Sequence, residues 1–389
     1  MGLGIRQAGR RGGLVAVRLR VLQVIPTLDR SGAEKQMVML ARGLPRDRFE
    51  VEVAVLTRLG PLESELSSAG IPVTLFSKRL KADVVALARL ARWVAERRFD
   101  VVHTWIFAAN VYGRMAARWA RVPVVVTSEM AVDLWKRPGQ LRLDRWLAGW
   151  TDRVVGNSDA VVDFYRQAGI EPAKLVRIYS GINLDGVAAV DPAAMRAALG
   201  VDAEAPVFLY AGRLADQKRV ADLLDAADLL QHVEPSAVTL IAGDGPLRRA
   251  LEERAAAFTL LGSGRVRFLG HREDVPSLLA AADALVLPSA YEGLPNVVLE
   301  AMAAGKPVIA TAAPGTTEAV EAGRTGVLVP VGDVRGLCRA MRDLARNPAE
   351  RRRLGEAGRE VVAERFPVAA MIDAFACLYE DLVRAKGRV

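Results

Sequence analysis

The sequence predicts an α/β protein with two parallel sheets, each covered by helices on both faces. Three observations predict it. Short runs of Val, Leu and Ile alternate with amphipathic helical stretches from end to end, the pattern of parallel strands joined by crossover helices. The 389 residues suffice for two cores of ordinary size. Strands also run repeatedly into glycine-bearing loops that lead to the next helix, as at Gly212, Gly243 and Gly293.

Composition narrows the function classes. Hydrophobic residues make up 51%, charged residues 25% and aromatics 6%, a globular profile. No apolar run has the length of a membrane span. The first eighteen residues carry arginines around a weak apolar patch and lack the apolar stretch of a signal peptide, so they read as a disordered lead-in. Two cysteines, Cys338 and Cys377, make neither a metal spacing nor a disulfide framework, which fits a cytoplasmic protein. Three histidines are too few for a histidine-based metal site. The net charge of +8 comes without aromatic–basic interleaving, which argues against nucleic acid. It suits diphosphate ligands, an anionic membrane face, or simply a solvated arginine-rich surface.

Taken in order, the first unit is a strand at 20–25, a loop holding Ser31 and Gly32, and a helix from about 35 to 44. The loop lacks G-x-G-x-x-G, which counts against a dinucleotide cofactor. Strands follow at 51–56 and 72–76, then a helix at about 83–97. The next strand, 100–102, delivers His103 to its carboxyl end, where open α/β sheets bind ligands. A buried structural histidine is the competing reading. The segment 141–150 places Leu143, Trp146, Leu147 and Trp150 on one helical face. Such a stripe is either a core face or, with Arg142 and Arg145 beside it, a membrane-surface helix. A linker is expected around 185–191.

The second half opens with a strand at 207–210 that runs into Gly212 and Arg213, with Lys218 starting the next helix. Two cations at a strand's carboxyl end suit the charge on a departing phosphate. Further strands lead to Gly243, Gly245 and Gly270. The stretch 289–311 then carries Glu292 in a loop and Glu300 one turn inside a helix. Unpaired N–H groups at that helix start favour an anion beside the two carboxylates. Surface charges are the bland alternative for either glutamate alone. The last helices are expected at about 334–346 and 348–386.

Glu292 and Glu300, with seven residues between them, resemble the Glu-x7-Glu signature of glycosyltransferase family 4. GRLADQK at 212–218, GDGPL at 243–247, VRFLG at 266–270 and GVLVPVGD at 326–333 resemble the family's other landmarks, in the family's order. The resemblance covers about residues 20–379 and is looser in the first half. There Ser31 stands where relatives often have glycine, and Trp105 and Met130 stand where many have histidine.

The resemblance implies a GT-B fold, two Rossmann-like domains facing a central cleft. The expected boundaries are 19–184 for the acceptor domain, 185–366 for the nucleotide-sugar domain, and 367–389 for a helix crossing back. It implies retaining transfer of a hexosyl group from a UDP- or GDP-sugar to a lipid-linked or glycan acceptor, in bacterial surface polysaccharide or glycolipid synthesis. Glu300 would hold ribose hydroxyls and Glu292 the donor sugar, while Arg213 and Lys218 neutralise the diphosphate. Gly212, Gly243, Gly245, Gly270, Gly293, Leu294, Pro295 and Asn296 would complete the donor site, and Ser31 and Gly32 the first loop. With no D-x-D motif, neither a metal nor another cofactor is expected. The expected partners are the donor and acceptor, with peripheral contact at the cytoplasmic membrane face and no nucleic acid. A nucleotide-sugar 2-epimerase and a non-catalytic nucleotide-sugar binder are rivals within the same fold.

Overall fold

The computed structural model describes residues 18–184 and 191–387. Nearly all of the expected lead-in and linker therefore lies outside the described residues. The first sheet contains β1 (Leu19–Thr27), β2 (Phe49–Arg58), β3 (Val73–Leu75), β4 (Val101–Trp105), β5 (Val124–Glu129), β6 (Arg153–Gly156) and β7 (Leu175–Arg177). Its order is β3-β2-β1-β4-β5-β6-β7, and each neighbouring pair is parallel. The second contains β8 (Val207–Ala211), β9 (Val238–Ala242), β10 (Val266–Gly270), β11 (Ala284–Leu287), β12 (Val308–Thr311) and β13 (Gly326–Val329). Its order is β10-β9-β8-β11-β12-β13, again parallel throughout.

Strand order reverses between β1 and β4 in one sheet and between β8 and β11 in the other. Such switch points open a crevice at the strands' carboxyl ends. The central strands β8, β9, β11 and β12 are buried along their whole length. Continuous apolar runs of this kind belong to sheets covered on both faces.

The helical punctuation follows local chemistry. Asp83 caps the helix Val84–Arg97 by accepting from the Ala86 N–H at 2.9 Å. Ser158 caps Asp159–Gln167 in the same way. The helical stretch expected at 348–386 divides into Pro348–Arg365 and Val368–Ala385, at the point where the helix crossing back was expected to begin, because Pro367 cannot supply the N–H that would continue the first. At that break the chain bonds to Ile182, through Ile182 N–H to Phe366 O at 2.9 Å and Val368 N–H to Ile182 O at 3.0 Å. The helix Val368–Ala385 then buries Phe375 and Tyr379 in the core of the first sheet. Among the described residues no helix is long and apolar enough to cross a membrane.

Candidate active site

A cleft of about 780 Å³ lies between the sheets, lined from both sides. That volume is in the range of small-molecule sites. The first-sheet lobe contributes the turn after β1, with Ser31, Gly32 and Lys35, together with Met130 after β5 and Asn157 after β6. The second-sheet lobe contributes Gly212, Arg213 and Lys218 after β8, Gly243 after β9, and the segment from Glu292 to Val297 with Glu300.

Glu292 is 5% exposed, and one of its oxygens lies 2.6 Å from Lys218 Nζ. Glu300, in the second turn of the helix Asn296–Ala303, pairs with Lys35 across the cleft at 2.9 Å. Arg213 is different. Among the described residues its exposed guanidinium has neither a hydrogen bond nor an ion pair, whereas its backbone is fixed by the Tyr210 hydroxyl donating to its carbonyl at 2.9 Å. A positioned, unpaired cation at the mouth of a strand is an anion site in waiting. The start of Asn296–Ala303 lines the same wall and has no side-chain cap; the Val298 N–H turns back to the Pro295 carbonyl at 3.0 Å, and among the described residues the N–H groups of Asn296 and Val297 have no acceptor and are open to a ligand.

The lobes also touch directly. Asn296 Nδ2 donates to the Gly32 carbonyl at 3.0 Å, and its Oδ1 accepts from Gln36 at 3.3 Å. Glu318 accepts the N–H groups of Asp159 and Ala160 at 2.7 and 2.8 Å, capping a helix of the opposite lobe. Gly293 lies so close to that lobe that an added Cβ would stand 2.3 Å from Met130 O and 2.6 Å from Asn157 Oδ1. The Ser31 hydroxyl donates to Glu34, in the first turn of its own helix.

Three predicted site residues stand elsewhere. His103 is fully buried, because its side chain faces the final helix. Gln23 donates to the Tyr379 hydroxyl at 3.2 Å, which leaves that hydroxyl's hydrogen for His103 Nδ1 at 2.6 Å; Nε2–H then donates to Ser128 Oγ at 2.8 Å. Burial drops the imidazole pKa to about 3, so it stays neutral. With both nitrogens committed in the core, His103 cannot reach a ligand in the cleft. Gly245 packs behind the cleft, where a Cβ would stand 2.4 Å from Leu214 O. Gly270 supports the wall by accepting the Gly243 N–H at 2.7 Å.

Sequence reading also missed residues. Lys35 carried no motif, and only the fold carries its helix to Glu300. Asp29, Arg30 and Arg272 line the cleft without a signature of their own, and Asp244 lines it from inside the GDGPL stretch, where only the glycines stood out.

Comparison with known proteins agrees with this architecture. Residues 30–185 match the family model "Glycosyltransferase Family 4", and residues 192–361 match "Glycosyl transferases group 1". The chain is 30% identical to an alpha-D-kanosaminyltransferase of Streptomyces kanamyceticus, over 71% of this chain and 75% of that protein. It is 27% identical to the Escherichia coli UDP-Gal:alpha-D-GlcNAc-diphosphoundecaprenol alpha-1,3-galactosyltransferase, over 95% and 98% of the two chains. Among solved structures, HepE of Anabaena in complex with UDP and glucose superposes with a TM-score of 0.84 at 26% identity, covering 94% of this chain and all of that one.

Proposed function

We propose, for a chain that belongs to glycosyltransferase family 4 and has the GT-B fold, retaining transfer of a hexosyl group from a nucleotide diphosphate sugar. Uridine is the favoured base, since two relatives carry UDP or a UDP-sugar in their names. The acceptor is lipid-linked or a growing glycan, by likeness to the E. coli galactosyltransferase. In this reading the first-sheet lobe receives the acceptor and the second holds the donor.

The observation that carries the reading is the unpaired Arg213 on the same wall as the open start of Asn296–Ala303. The diphosphate lies against both. Glu300 accepts the ribose hydroxyls, and Glu292, held by Lys218, accepts hydroxyls of the sugar. The bond from the sugar's anomeric carbon to the diphosphate oxygen breaks as the acceptor oxygen bonds to that carbon on the same face. The acceptor's proton passes to the departing diphosphate oxygen. The charge that grows on that oxygen is stabilised by Arg213, by Lys218 and by the helix N–H groups. The contacts between lobes keep water out while the bond is broken.

Incubation with UDP- and GDP-sugars plus a lipid diphosphate sugar acceptor, followed by proton NMR of the product, tests this. An α-linked product from an α-linked donor is expected. A β-linked product would overturn retention. Conversion of the donor's sugar without any acceptor would favour the epimerase.

A further inference from the structure

The loop between β5 and the helix Pro138–Ala148 lines the cleft at Met130 and has no regular structure up to Arg137. Leu134 and Trp135 are exposed, and Val132 is its one buried apolar side chain. Ions supply the rest of its anchorage. Lys136 turns inward, and its Nζ lies 2.8 Å from Asp144, 2.9 Å from Asp133 and 3.4 Å from Glu129. The Tyr165 hydroxyl accepts from Lys136 at 2.5 Å and donates to Asp133 at 2.6 Å. Arg114 holds the other oxygen of Asp144 at 2.6 Å. All these side chains are buried. They come from β5, from the loop and from the helices Ile106–Ala120, Pro138–Ala148 and Asp159–Gln167.

Burying ions adds little stability over apolar packing of the same volume. What this cluster contributes is position, and two chains of contact run from it to Glu292. In the first, the Met130 carbonyl sits against Gly293, so close that a Cβ there would stand 2.3 Å away, and Tyr291 packs against the buried group that includes Val132 and Tyr165. In the second, Tyr165 belongs to the helix whose opening N–H groups, on Asp159 and Ala160, donate to Glu318 of the other lobe. Pro314, in the turn just before Glu318, accepts the Glu292 N–H at 3.1 Å. The Glu292 turn is thus seated from two sides on parts of the first lobe that are anchored at Lys136.

We propose that Lys136 is a positioning residue for sugar transfer: through this ion cluster it sets the first-lobe seat that aligns Glu292 with the substrates in the cleft. The inference rests on the reading of the cleft as the transfer site. The carboxylates of Glu129, Asp133 and Asp144 face the cations of Lys136 and Arg114, so one negative charge is in excess when all are ionised. Burial pushes the Glu129 carboxyl up to about 7, with Asp144 and Asp133 adding to the rise and Lys136 and Arg114 opposing it. A proton on Glu129 balances the cluster. Its loss leaves an uncompensated buried charge beside Lys136, which loosens the seat.

The test uses the full chain with a UDP-sugar and a lipid diphosphate sugar acceptor. Lys136→Met is expected to lower kcat about 10²-fold, the effect of a small misplacement at the reacting groups. UDP affinity by calorimetry should change less than about threefold, because Arg213 and Glu300 are untouched. Glu129→Gln copies the protonated carboxyl and is expected to melt with the wild type at pH 6. The ratio of wild-type to Glu129→Gln kcat should be near unity at pH 6 and fall about tenfold by pH 8, as the wild type loses its proton. Hydrogen exchange reads the seat without any transfer. At pH 8 the wild type and Lys136→Met should exchange faster than Glu129→Gln in the stretches 289–297 and 313–319 as well as in 130–137. Unchanged kcat in a folded Lys136→Met would overturn the proposal. So would a loss of UDP affinity in step with kcat, a kcat ratio constant from pH 6 to pH 8, or faster exchange confined to 130–137. Should Lys136→Met not fold, the comparison of the wild type with Glu129→Gln decides alone. Failure of the exchange coupling refutes the seat whatever the activity. An inactive wild type with that coupling intact supports the seat and refutes the transfer reading.

Discussion

Lys35 Nζ lies 2.9 Å from Glu300 Oε1, although 265 residues separate the two in sequence. The contact joins a helix of the first lobe to the helix that starts at Asn296. It leaves the second oxygen of Glu300 available to a ligand. A partly buried pair of this kind contributes about 0.5–1 kcal/mol. Lys35→Met is therefore expected to change nucleotide affinity less than about threefold, while Glu300→Gln weakens it about tenfold or more through lost charged hydrogen bonds. Calorimetric titration with UDP checks both.

Arg213 and Lys218 differ in what they hold before a ligand arrives. Arg213→Ala removes a free cation, so kcat/KM should fall about 10²–10³-fold with little change in stability. Lys218→Ala strands the buried Glu292 carboxylate and should cost about 3–5 kcal/mol of stability besides activity. Adding Glu292→Gln to it should restore stability but not turnover. Urea unfolding alongside steady-state kinetics separates the two effects.

His103 gives a pH dependence with a definite sign. Its folded pKa of about 3 lies below the ordinary 6.5 of an exposed imidazole. The unfolded chain therefore binds a proton that the folded chain refuses, and this stabilising contribution is present above pH 6.5 and lost as pH falls toward 3. Between pH 7 and pH 5 the loss is about 2 kcal/mol. His103→Gln should flatten that limb in urea unfolding. The wild-type imidazole should not titrate by NMR between pH 8 and pH 5.

Gly315 has φ +79°, and a Cβ there would stand 1.6 Å from the Gly293 carbonyl oxygen, beside Glu292. Gly323 has φ +74° with nothing within 4 Å. Gly323→Ala should cost about 1 kcal/mol, the backbone penalty alone. Gly315→Ala should cost several-fold more and impair sugar binding. Thermal melts of the two variants make the comparison at matched backbone strain.

The sequence showed some parts of this molecule better than others, for physical reasons. Strand and helix alternation is a local property, so both parallel sheets were legible. Glu292, Glu300, Arg213 and Lys218 sit at strand exits or helix starts, and strand exits converge at switch points, so their arrival in one cleft was also legible. His103 was misplaced because alternation along β4 says which residues share a face, not which face a helix 270 residues onward will cover. Lys35 was missed for a related reason. Its partner lies in the other lobe, and no spacing within its own helix announces it. The break at Pro367 was written in the sequence, yet the apolar pattern on both sides ran through it.

The central claim is that a nucleotide diphosphate sugar binds against Arg213 and Glu300. Thermal unfolding with a panel of UDP-, GDP- and ADP-sugars, on the wild type, Arg213→Ala and Glu300→Ala, tests it most directly. A ligand that binds only the folded chain raises the midpoint with its concentration. The account predicts a rise with UDP-sugars that is lost or sharply reduced in both variants. No rise with any nucleotide sugar, or an equal rise in all three proteins, would contradict it.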